Sequence, residues 1–305
     1  DGAFGVLAAL EAVQAIAEAG IATRHPIDVA NWTNEEGGRF VPGVMGSQVY
    51  RFPEQLPRML AVKDAAGISL AEGLADAKAA LPKWQPRALK APVAAFLEAH
   101  IEQGSILEDA GKVIGIVSSI QGSRKFFVDV RGEEAHAGTT PRRRRKDALL
   151  AAVAMVGALE RLLTDQDDVL RFTVGRFVTS PGAPSVIPGQ VHFSIDFRHP
   201  DDALRQRLGD QVGPLCQALA GPCTVAVHEP QASETVPFAG AAVEAVRNAA
   251  KRLGLPAMEL YSGAGHDARN LAYLCPTAMV FVPCEKGISH NEAENATAAD
   301  LAAAA

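Results

Sequence analysis

Hydrophobic and polar positions along the chain recur with two different periods, and each period predicts a different element. Apolar residues recur every third position over residues 2–19, from Phe4 to Ile16, with a polar stripe between them and Gly20 after them. This spacing predicts an amphipathic helix that ends at Gly20. The apolar run that follows predicts a buried strand over 27–32. The chain is therefore expected to open with a helix and then a strand.

Two further segments before residue 121 carry clear signals. Ser69-Leu70-Ala71-Glu72 has the spacing of a capping box and predicts a helix to about Ala80. The apolar stretch from Phe96 to His100 predicts a short strand. Sites in open α/β sheets form beyond the carboxyl ends of the strands, so polar residues that follow these strands become candidates for function.

The pattern changes near Gln121-Gly122, and it predicts a second domain inserted into the first. From there the elements follow the order β-α-β-β-α-β of the ferredoxin-like split motif. We therefore predict one α/β domain over 1–121 and 232–305 and an inserted domain over 122–231. The predicted elements are a strand at 126–131, a helix from Thr140-Pro141 to about Leu163, strands at 171–178 and 190–198, a helix at 201–219 and a strand at 224–229; the first domain resumes with a helix from Pro237 to Leu253 and a strand at 277–282.

Composition limits the class of protein. The chain has 305 residues, 48% of them hydrophobic, and a net charge of −6, which is typical of a globular protein of two domains and argues against a nucleic-acid partner. It contains no run of about 18 apolar residues, so no membrane span is predicted. Its four cysteines lack CxxC spacing and are too few to staple the fold, which favours a reducing cytoplasm.

Two adjacent carboxylates, Glu35 and Glu36, follow the first predicted strand. Neighbouring side chains on an extended backbone point to opposite faces, so both reach one site only if the chain bends there, and Gly37-Gly38 is expected to supply the bend. Two carboxylates ionise together readily when a cation neutralises one of them. One carboxylate would then bind metal while the other transfers protons. The alternative is a solvated acidic loop.

Acidic and histidine side chains at other element ends extend this pattern. Mixed Asp, Glu and His ligation suits zinc, manganese or cobalt, and a carboxylate that bridges two such ions makes a water-activating hydrolytic centre. Asp1 is alternatively a helix N-cap, and His100 is alternatively a structural histidine. The chain lacks the Gly-x-Ser-x-Gly and Gly-x-Gly-x-x-Gly motifs that would favour a serine hydrolase or a dehydrogenase. The candidate ligands are Asp1, Glu35, Glu36, His100 and His290.

Seven motifs in order carry a resemblance that covers essentially the whole chain. They are Asp-Gly-Ala-Phe-Gly (1–5), Asn-Trp-Thr-Asn-Glu-Glu-Gly (31–37), His-Ile-Glu-Gln-Gly (100–104), Glu-Ala-His-Ala-Gly-Thr-Thr-Pro (134–141), Asp-Phe-Arg-His-Pro (196–200), Ser-Gly-Ala-Gly-His-Asp (262–267) and Ile-Ser-His-Asn-Glu (288–292). Together they resemble the N-carbamoyl-L-amino-acid hydrolase family, which includes β-ureidopropionases and allantoate amidohydrolases within the dinuclear metallopeptidase clan.

The resemblance implies a zinc-carboxypeptidase-like catalytic domain with an inserted ferredoxin-like domain that acts as a lid and makes a homodimer. It implies hydrolysis of the ureido C–N bond of an N-carbamoyl-L-amino acid, β-ureidopropionate or allantoate with two divalent ions, zinc, manganese, cobalt or nickel. By position, Asp1 would bridge the ions, Glu36 and His290 would complete one site, His100 would bind the other ion, and Glu35 would be the general base.

The resemblance also implies substrate contacts, and one of them departs from the family pattern. Arg198 would hold the substrate carboxylate, where a guanidinium fork fits two oxygens. His136 would reach into the site of the neighbouring subunit. On the residues alone, a surface strand residue and a loop histidine are the plain interpretations of these two. Ser185 stands where the family has Asn, and it offers a single hydroxyl. The implied substrate-binding residues are Gln103, His136, Ser185, Arg198, Gly263, Ala264 and Gly265.

A second departure concerns the metals. The family has a further metal-binding His upstream of the position that matches Asp1, and this sequence begins after it. We therefore expect the site with Glu36 and His290 to fill first, the site at His100 to stay weak or empty, and activity to be low or absent. The alternatives are a dipeptidase or aminoacylase of the same clan, and a dimeric remnant without catalysis. Arg142 to Arg145 are interpreted as a solvated face.

Overall fold

The computed structural model of the protein describes residues 2–81, 83 and 85–305. The chain divides into two compact units. The main unit runs up to Ile120 and resumes over Val236–Ala305, whereas the inserted unit is Gln121–Thr235. The α-helices of the described residues are α1 (Ala3–Glu18), α2 (Met45–Arg51), α3 (Leu56–Leu60), α4 (Leu70–Ala80), α5 (Ile106–Asp109), α6 (Ala148–Leu162), α7 (Asp202–Ala218), α8 (Ala241–Leu253), α9 (Ala268–Leu271) and α10 (Ala298–Ala304).

The strands of the described residues form one sheet in each unit and a short two-stranded ribbon in the inserted unit. They are β1 (Phe96–Ile101), β2 (Ile114–Ile120), β3 (Gly122–Arg131), β4 (Ala135–His136), β5 (Arg171–Thr173), β6 (Phe177–Ser180), β7 (Val186–Ile187), β8 (Gln190–His199), β9 (Thr224–Ser233), β10 (Val236–Pro237), β11 (Ala257–Ser262) and β12 (Thr277–Val282).

The main sheet has the order β1-β12-β2-β10, with β11 on the other side of β2. β1 and β12 run parallel, with His100 opposite Phe281, and β12 is antiparallel to β2. Every residue of β12 is buried, so this strand reads as an unbroken apolar run. Val243, Val246 and Ala250 of α8 join the same core. Helix α1 crosses β1 closely, because a Cβ on Gly5 would lie 2.4 Å from the carbonyl oxygen of Ala99.

Several predicted elements of the main unit are confirmed. α1 and α4 lie where their patterns placed them, and α4 begins with the predicted capping box between Ser69 and Glu72. The strands β1 and β12 are confirmed as well. Two strands of this sheet were not predicted: β2, which pairs with β10, β11 and β12, and β11 itself.

The predicted strand over 27–32 is wrong. These residues have no regular secondary structure, and Ile27 is 49% exposed. A strand is stabilised by ladder hydrogen bonds to a neighbour, and no described strand pairs with this segment. The apolar pattern of the segment therefore did not predict its structure, because hydrophobicity alone does not specify a strand with which to pair.

The inserted unit has an antiparallel sheet of order β5-β8-β3-β9, with β6 paired to β8 beside β5. Burial alternates along β8, and its inward residues Phe193, Ile195 and Phe197 pack with α6 and α7. The predicted strand over 171–178 is broken, because β5 ends before Gly175 and β6 begins after it.

The predicted start of the helix at Thr140-Pro141 is also wrong. Arg142–Arg144 form a 3₁₀ turn, and α6 begins after Asp147, whose carboxylate accepts hydrogen bonds from two backbone N–H groups of its first turn. The guanidinium of Arg145 donates to backbone carbonyls of the preceding loop and holds the chain out of the helix. An acidic N-cap suits a helix N-terminus, whereas four arginines oppose its dipole.

Two further findings bear on the environment of the chain. The four cysteines are buried and free. Among the described residues, we find no helix with both the length and the apolar character that crossing a membrane requires.

Candidate active site

Loops that follow two parallel strands meet at one edge of the main sheet. Because β1 and β12 are parallel, their carboxyl ends lie at the same edge. Gln103 follows β1, and Ser289 and His290 lie in the loop after β12. The side-chain amide nitrogen of Gln103 lies 3.1 Å from the hydroxyl of Ser289 and 3.4 Å from Nε2 of His290. The fold thus joins two segments that are nearly 190 residues apart in the sequence.

Glu36 completes this cluster from the loop before α2. Its Oε2 lies 3.6 Å from Nε2 of His290, and both side chains are more than half exposed. A divalent ion such as zinc binds carboxylate oxygen and imidazole nitrogen at about 2.0–2.2 Å. Two donors at this separation therefore fit ligation of one shared ion.

Glu35 lies beside this pair in a more buried setting. Burial raises its pKa to about 7, and the charges of Asp267 and Glu36 act in the same direction, while His100 and His290 oppose them. A carboxyl group with a pKa near neutrality is suited to take up and release a proton at physiological pH. The two adjacent glutamates therefore differ in environment: Glu35 is half-buried and has a raised pKa, and Glu36 is exposed beside an imidazole.

The loop that carries the two glutamates turns at Asn34 and Gly37, which have φ of 55° and 71°. The amide of Asn34 donates to two carbonyl oxygens across the loop, at 2.8 and 3.1 Å, and the backbone N–H of Val44 donates to the carbonyl of Glu35 at 2.7 Å. Gly37 was predicted as part of the bend. Asn34 was not, although Asn is one of the few residues that adopts the left-handed region readily.

His100 is buried, and its tautomer is fixed by a neighbour. Its Nδ1 lies 2.8 Å from the carbonyl oxygen of Ile101, which only accepts hydrogen bonds. Nδ1 therefore carries the hydrogen of the neutral ring, and Nε2 keeps the lone pair that a metal requires. A Cβ on Gly2 would lie 3.8 Å from that Nε2. Asp1, the predicted bridging ligand, lies outside the described residues.

The parts of a metal centre are present, but the described residues do not form a closed one. Within residues 2–81, 83 and 85–305, no group of three or more His, Cys, Asp or Glu side chains is arranged to hold an ion. The described residues therefore offer two incomplete sets of metal donors. One set is Glu36 with His290, and the other is Nε2 of His100.

Three further titratable groups close to His100 or Glu35 were not among the predicted site residues. Burial raises the pKa of Glu98 to about 8 and that of Asp267 to about 6, and it lowers the pKa of His266 well below its ordinary value. The imidazole of His266 lies 4.6 Å from that of His100 between ring centroids. A signal existed, because Glu98 precedes His100 by two residues on β1 and so shares its face.

Two of the predicted substrate residues lie together in the inserted unit. His136 is in β4 and Ser185 directly precedes β7, the strand that pairs with it. Nδ1 of His136 accepts hydrogen bonds from the backbone N–H groups of Gly138 (3.0 Å) and Thr139 (3.1 Å). In the neutral ring, Nε2 must therefore carry the hydrogen, so this exposed side chain presents a donor.

Arg198 already binds a carboxylate. Its Nε and one terminal nitrogen each lie 3.1 Å from an oxygen of Asp196, two residues earlier on β8. Lys125 also contacts Asp196 at 3.6 Å. A substrate carboxylate at Arg198 would have to compete with Asp196 for the guanidinium.

The predicted pocket turn over Gly263–Gly265 follows β11. The hydroxyl of Ser262 accepts a hydrogen bond from the N–H of Ala264 at 3.1 Å and lies 3.2 Å from its carbonyl oxygen. The turn is thus held by its own first residue, and its two glycines are exposed.

Comparison with known proteins decides the family. The profile described as peptidase family M20/M25/M40 matches residues 1–305. The chain belongs to this family.

Members of the M20 family generally use divalent metal ions, which agrees with the donor types at the candidate site. An N-carbamoyl-L-amino-acid amidohydrolase of Rhizobium meliloti is 38% identical over 97% of this chain and 71% of its own length. An allantoate amidohydrolase of Bacillus subtilis is 34% identical over 99% of this chain and 73% of its own. The crystal structure of an amidase of the hydantoinase/carbamoylase family from Burkholderia multivorans is 42% identical, covers 100% of this chain and 74% of that one, and superposes with a TM-score of 0.91.

Proposed function

We propose that this M20-family chain is a metal-dependent amidohydrolase that cleaves the ureido C–N bond of an N-carbamoyl-L-amino acid or a related ureido acid such as β-ureidopropionate or allantoate. The observation that carries the proposal is the pair of adjacent glutamates in different environments, with Glu35 at a pKa of about 7 and Glu36 beside His290. The relatives, named for hydrolysis of N-carbamoyl amino acids and allantoate, support this substrate class.

In the proposed reaction Glu35 moves the protons. It accepts a proton from the attacking water and then donates it to the nitrogen that leaves, so one group serves as base and then acid. Divalent ions, when bound, polarise the ureido carbonyl and lower the pKa of coordinated water. The products are the free amine, carbon dioxide and ammonia.

We assign Glu36 and His290 to one ion, His100 to the other, and Asp1 to both. The separation of 3.6 Å between Glu36 and His290 supports the first assignment. The lone pair on Nε2 of His100 supports the second. Zinc, manganese, cobalt or nickel would suit these oxygen and nitrogen donors.

For substrate binding, we assign the carboxylate of the ureido acid to Arg198, which would exchange Asp196 for the substrate. His136 would donate a hydrogen bond through Nε2, and Ser185 lies directly before the adjoining ribbon strand β7. The contact of Gln103 with His290 supports a place for Gln103 at the metal edge. The turn of Gly263, Ala264 and Gly265 would contribute backbone groups.

We infer that the inserted unit is a ferredoxin-like lid and dimerisation domain. Its strand order β5-β8-β3-β9 with α6 and α7 supports that fold. A stripe on α6 supports pairing with a second copy of the chain, because Leu150 is 63% exposed, Val153 is 53% exposed, and Ala154 continues the same face. The free cysteines favour a cytoplasmic location.

Sedimentation tests the dimer. The variants Leu150→Glu and Val153→Glu should shift the protein from dimer to monomer, whereas Leu253→Glu, at a similarly exposed leucine of the main unit, should leave the dimer intact. A monomeric unmodified protein would contradict the assignment.

Product analysis tests the reaction. Ammonia released from N-carbamoyl-L-amino acids, β-ureidopropionate and allantoate is compared with amino groups released from dipeptides and N-acyl amino acids. Ammonia release that depends on added metal supports the proposal. Cleavage of dipeptides or acyl substrates alone would make the chain a dipeptidase or aminoacylase of the same family. Metal binding well below two ions per chain, with no turnover, would mark a non-catalytic remnant.

A further inference from the structure

His266 is a buried side chain that the proposed reaction does not use. It is 2% exposed, and its polar and aromatic neighbours include Ser262, Glu98, His100 and Phe281. Its Nε2 lies 2.7 Å from the hydroxyl of Ser262, its Nδ1 lies 3.6 Å from Oε1 of Glu98, and its ring meets that of His100 at an angle of 69°. A serine, a histidine and an acid thus lie in the same order as in the triad of a serine hydrolase.

This array lacks the features of a nucleophilic triad. Ser262 is fully buried, so no substrate reaches its hydroxyl. Its oxygen already accepts a hydrogen bond from Ala264 in the turn that follows β11. Glu98 also has a second partner, because its other carboxylate oxygen accepts a hydrogen bond from the backbone N–H of Ala268 at 2.8 Å. These contacts therefore hold the side chains in place and do not prepare Ser262 for nucleophilic attack.

The ring that they position is that of His100. The hydrogen bond from Nδ1 to the carbonyl of Ile101 fixes the tautomer of this ring. The rings of His266 and Phe281 pack beside it, at 4.6 and 6.3 Å between centroids, and limit how far it can tilt. Since Ser262 binds both His266 and Ala264, the same contact joins His100 to the Gly263–Gly265 turn.

We propose that His266, held by Ser262, is a positioning residue that fixes the imidazole of His100 for a divalent ion and couples that ring to the turn over Gly263–Gly265. The inference rests on the proposed function, because it gives His100 a metal and the turn a substrate. Residues that orient a metal-binding histidine typically change metal affinity by 10–100-fold when they are replaced.

The test is a double-mutant cycle read by metal affinity. Metal-free full-length protein is titrated with Zn²⁺ against a chromophoric chelator, for the unmodified chain, Ser262→Ala, His266→Phe and the double variant. Each single variant should lower the affinity of one site by about 10-fold. The double variant should lose about as much as one single variant, since both remove the same contact. Thr277→Val removes another buried hydroxyl, which donates to the carbonyl of Cys275, and should leave zinc affinity unchanged.

Steady-state kinetics separates the two proposed roles, which are to fix the ring of His100 and to hold the turn over Gly263–Gly265. Ser262→Ala should raise KM for the ureido acid and lower kcat, because it loosens both the turn and the ring, whereas His266→Phe should lower kcat with the smaller change in KM. Should Ser262→Ala fail to fold, His266→Phe, which keeps a ring, carries the affinity test. Zinc affinities within twofold of the unmodified chain, or losses that add in the double variant, would overturn the inference and leave the proposed function standing. An unmodified chain that binds no divalent ion would overturn both.

Discussion

The two units differ in where they place unfavourable backbone. In the described part of the main unit, six non-glycine residues have positive φ, and five of them lie in the loops of the candidate site or beside them. In the described part of the inserted unit, Asp168 alone has such a conformation. The five are Asn34 (φ 55°), Val44 (56°), Gln103 (61°), Lys286 (57°) and His290 (54°), and the sixth is Lys90 (60°), in the segment before β1.

The difference in the location of residues with positive φ agrees with the different structural roles of the two sheets. The inserted sheet is an antiparallel ladder with alternating burial along β8 and one register shift between Lys125 and Phe127, and its stability comes from one packed face. The main sheet must aim side chains from several loops at one edge, which requires turns that an L-residue adopts at a cost of about 1–3 kcal/mol each. Val44 is the clearest case, because a β-branched residue rarely takes positive φ. Most of the described residues with positive φ therefore lie where chemistry is proposed, whereas the described part of the inserted unit has one.

The largest expected effect tests the packed face of the inserted unit. Phe193→Ala should lower the free energy of unfolding by about 3–5 kcal/mol, because the side chain is fully buried between the sheet and its helices and its removal leaves a cavity. Phe127→Ala is the matched control in the same sheet, since that ring is 38% exposed and should cost much less. Urea denaturation measures both. Equal losses would show that burial does not set the stability of this unit.

The next effect separates the two glutamates of the candidate site. Glu35→Gln keeps the size of the side chain but removes the base, so turnover should fall by roughly 100-fold or more, about 2.7 kcal/mol of activation free energy. Its metal content should stay unchanged. Glu36→Gln should instead lose metal, as measured by elemental analysis of dialysed protein. Metal loss in the Glu35 variant would mean that the two roles are exchanged.

A smaller effect tests whether the strained backbone conformation at Gly37 is required for activity. Gly37→Ala should lower the free energy of unfolding by about 1–3 kcal/mol and reduce activity, because φ is +71° and the new Cβ would lie 2.8 Å from the backbone nitrogen of Gly43. Gly254→Ala is the matched control, since its φ is +66° but nothing lies within 4 Å of the Cβ position. It should cost about 1 kcal/mol and leave activity unchanged. Thermal unfolding and turnover are measured for both, and equal loss of activity would remove the link between strain and site.

The smallest effect tests the regular start of α6. Asp147→Ala should lower the free energy of unfolding by about 1 kcal/mol, because two backbone N–H groups of the helix lose their acceptor. Asp147→Asn keeps an acceptor and should stay within a few tenths of a kcal/mol of the unmodified protein. Denaturant midpoints measure the difference. A loss of similar size in both variants would assign the effect to charge and not to capping.

The sequence by itself determined the elements whose signals are local. The capping box at Ser69, the apolar run of β12 and the period of α1 each depend on residues that are close in the chain, so they were predicted correctly. The seven motifs also indicated the family, because they recorded residue identities in order. The family match over residues 1–305 agrees with that resemblance.

Only the tertiary structure decided which segments and side chains meet. The segment 27–32 is apolar but is no strand, since a ladder requires a partner that no local pattern specifies. The same holds for side chains: Arg198 binds Asp196, and His266 lies against His100. Burial then set the pKa of Glu35, because desolvation depends on residues from distant parts of the chain that pack around it. Sequence patterns thus record local periodicity and residue type, whereas contacts, protonation and strain arise when distant segments come together.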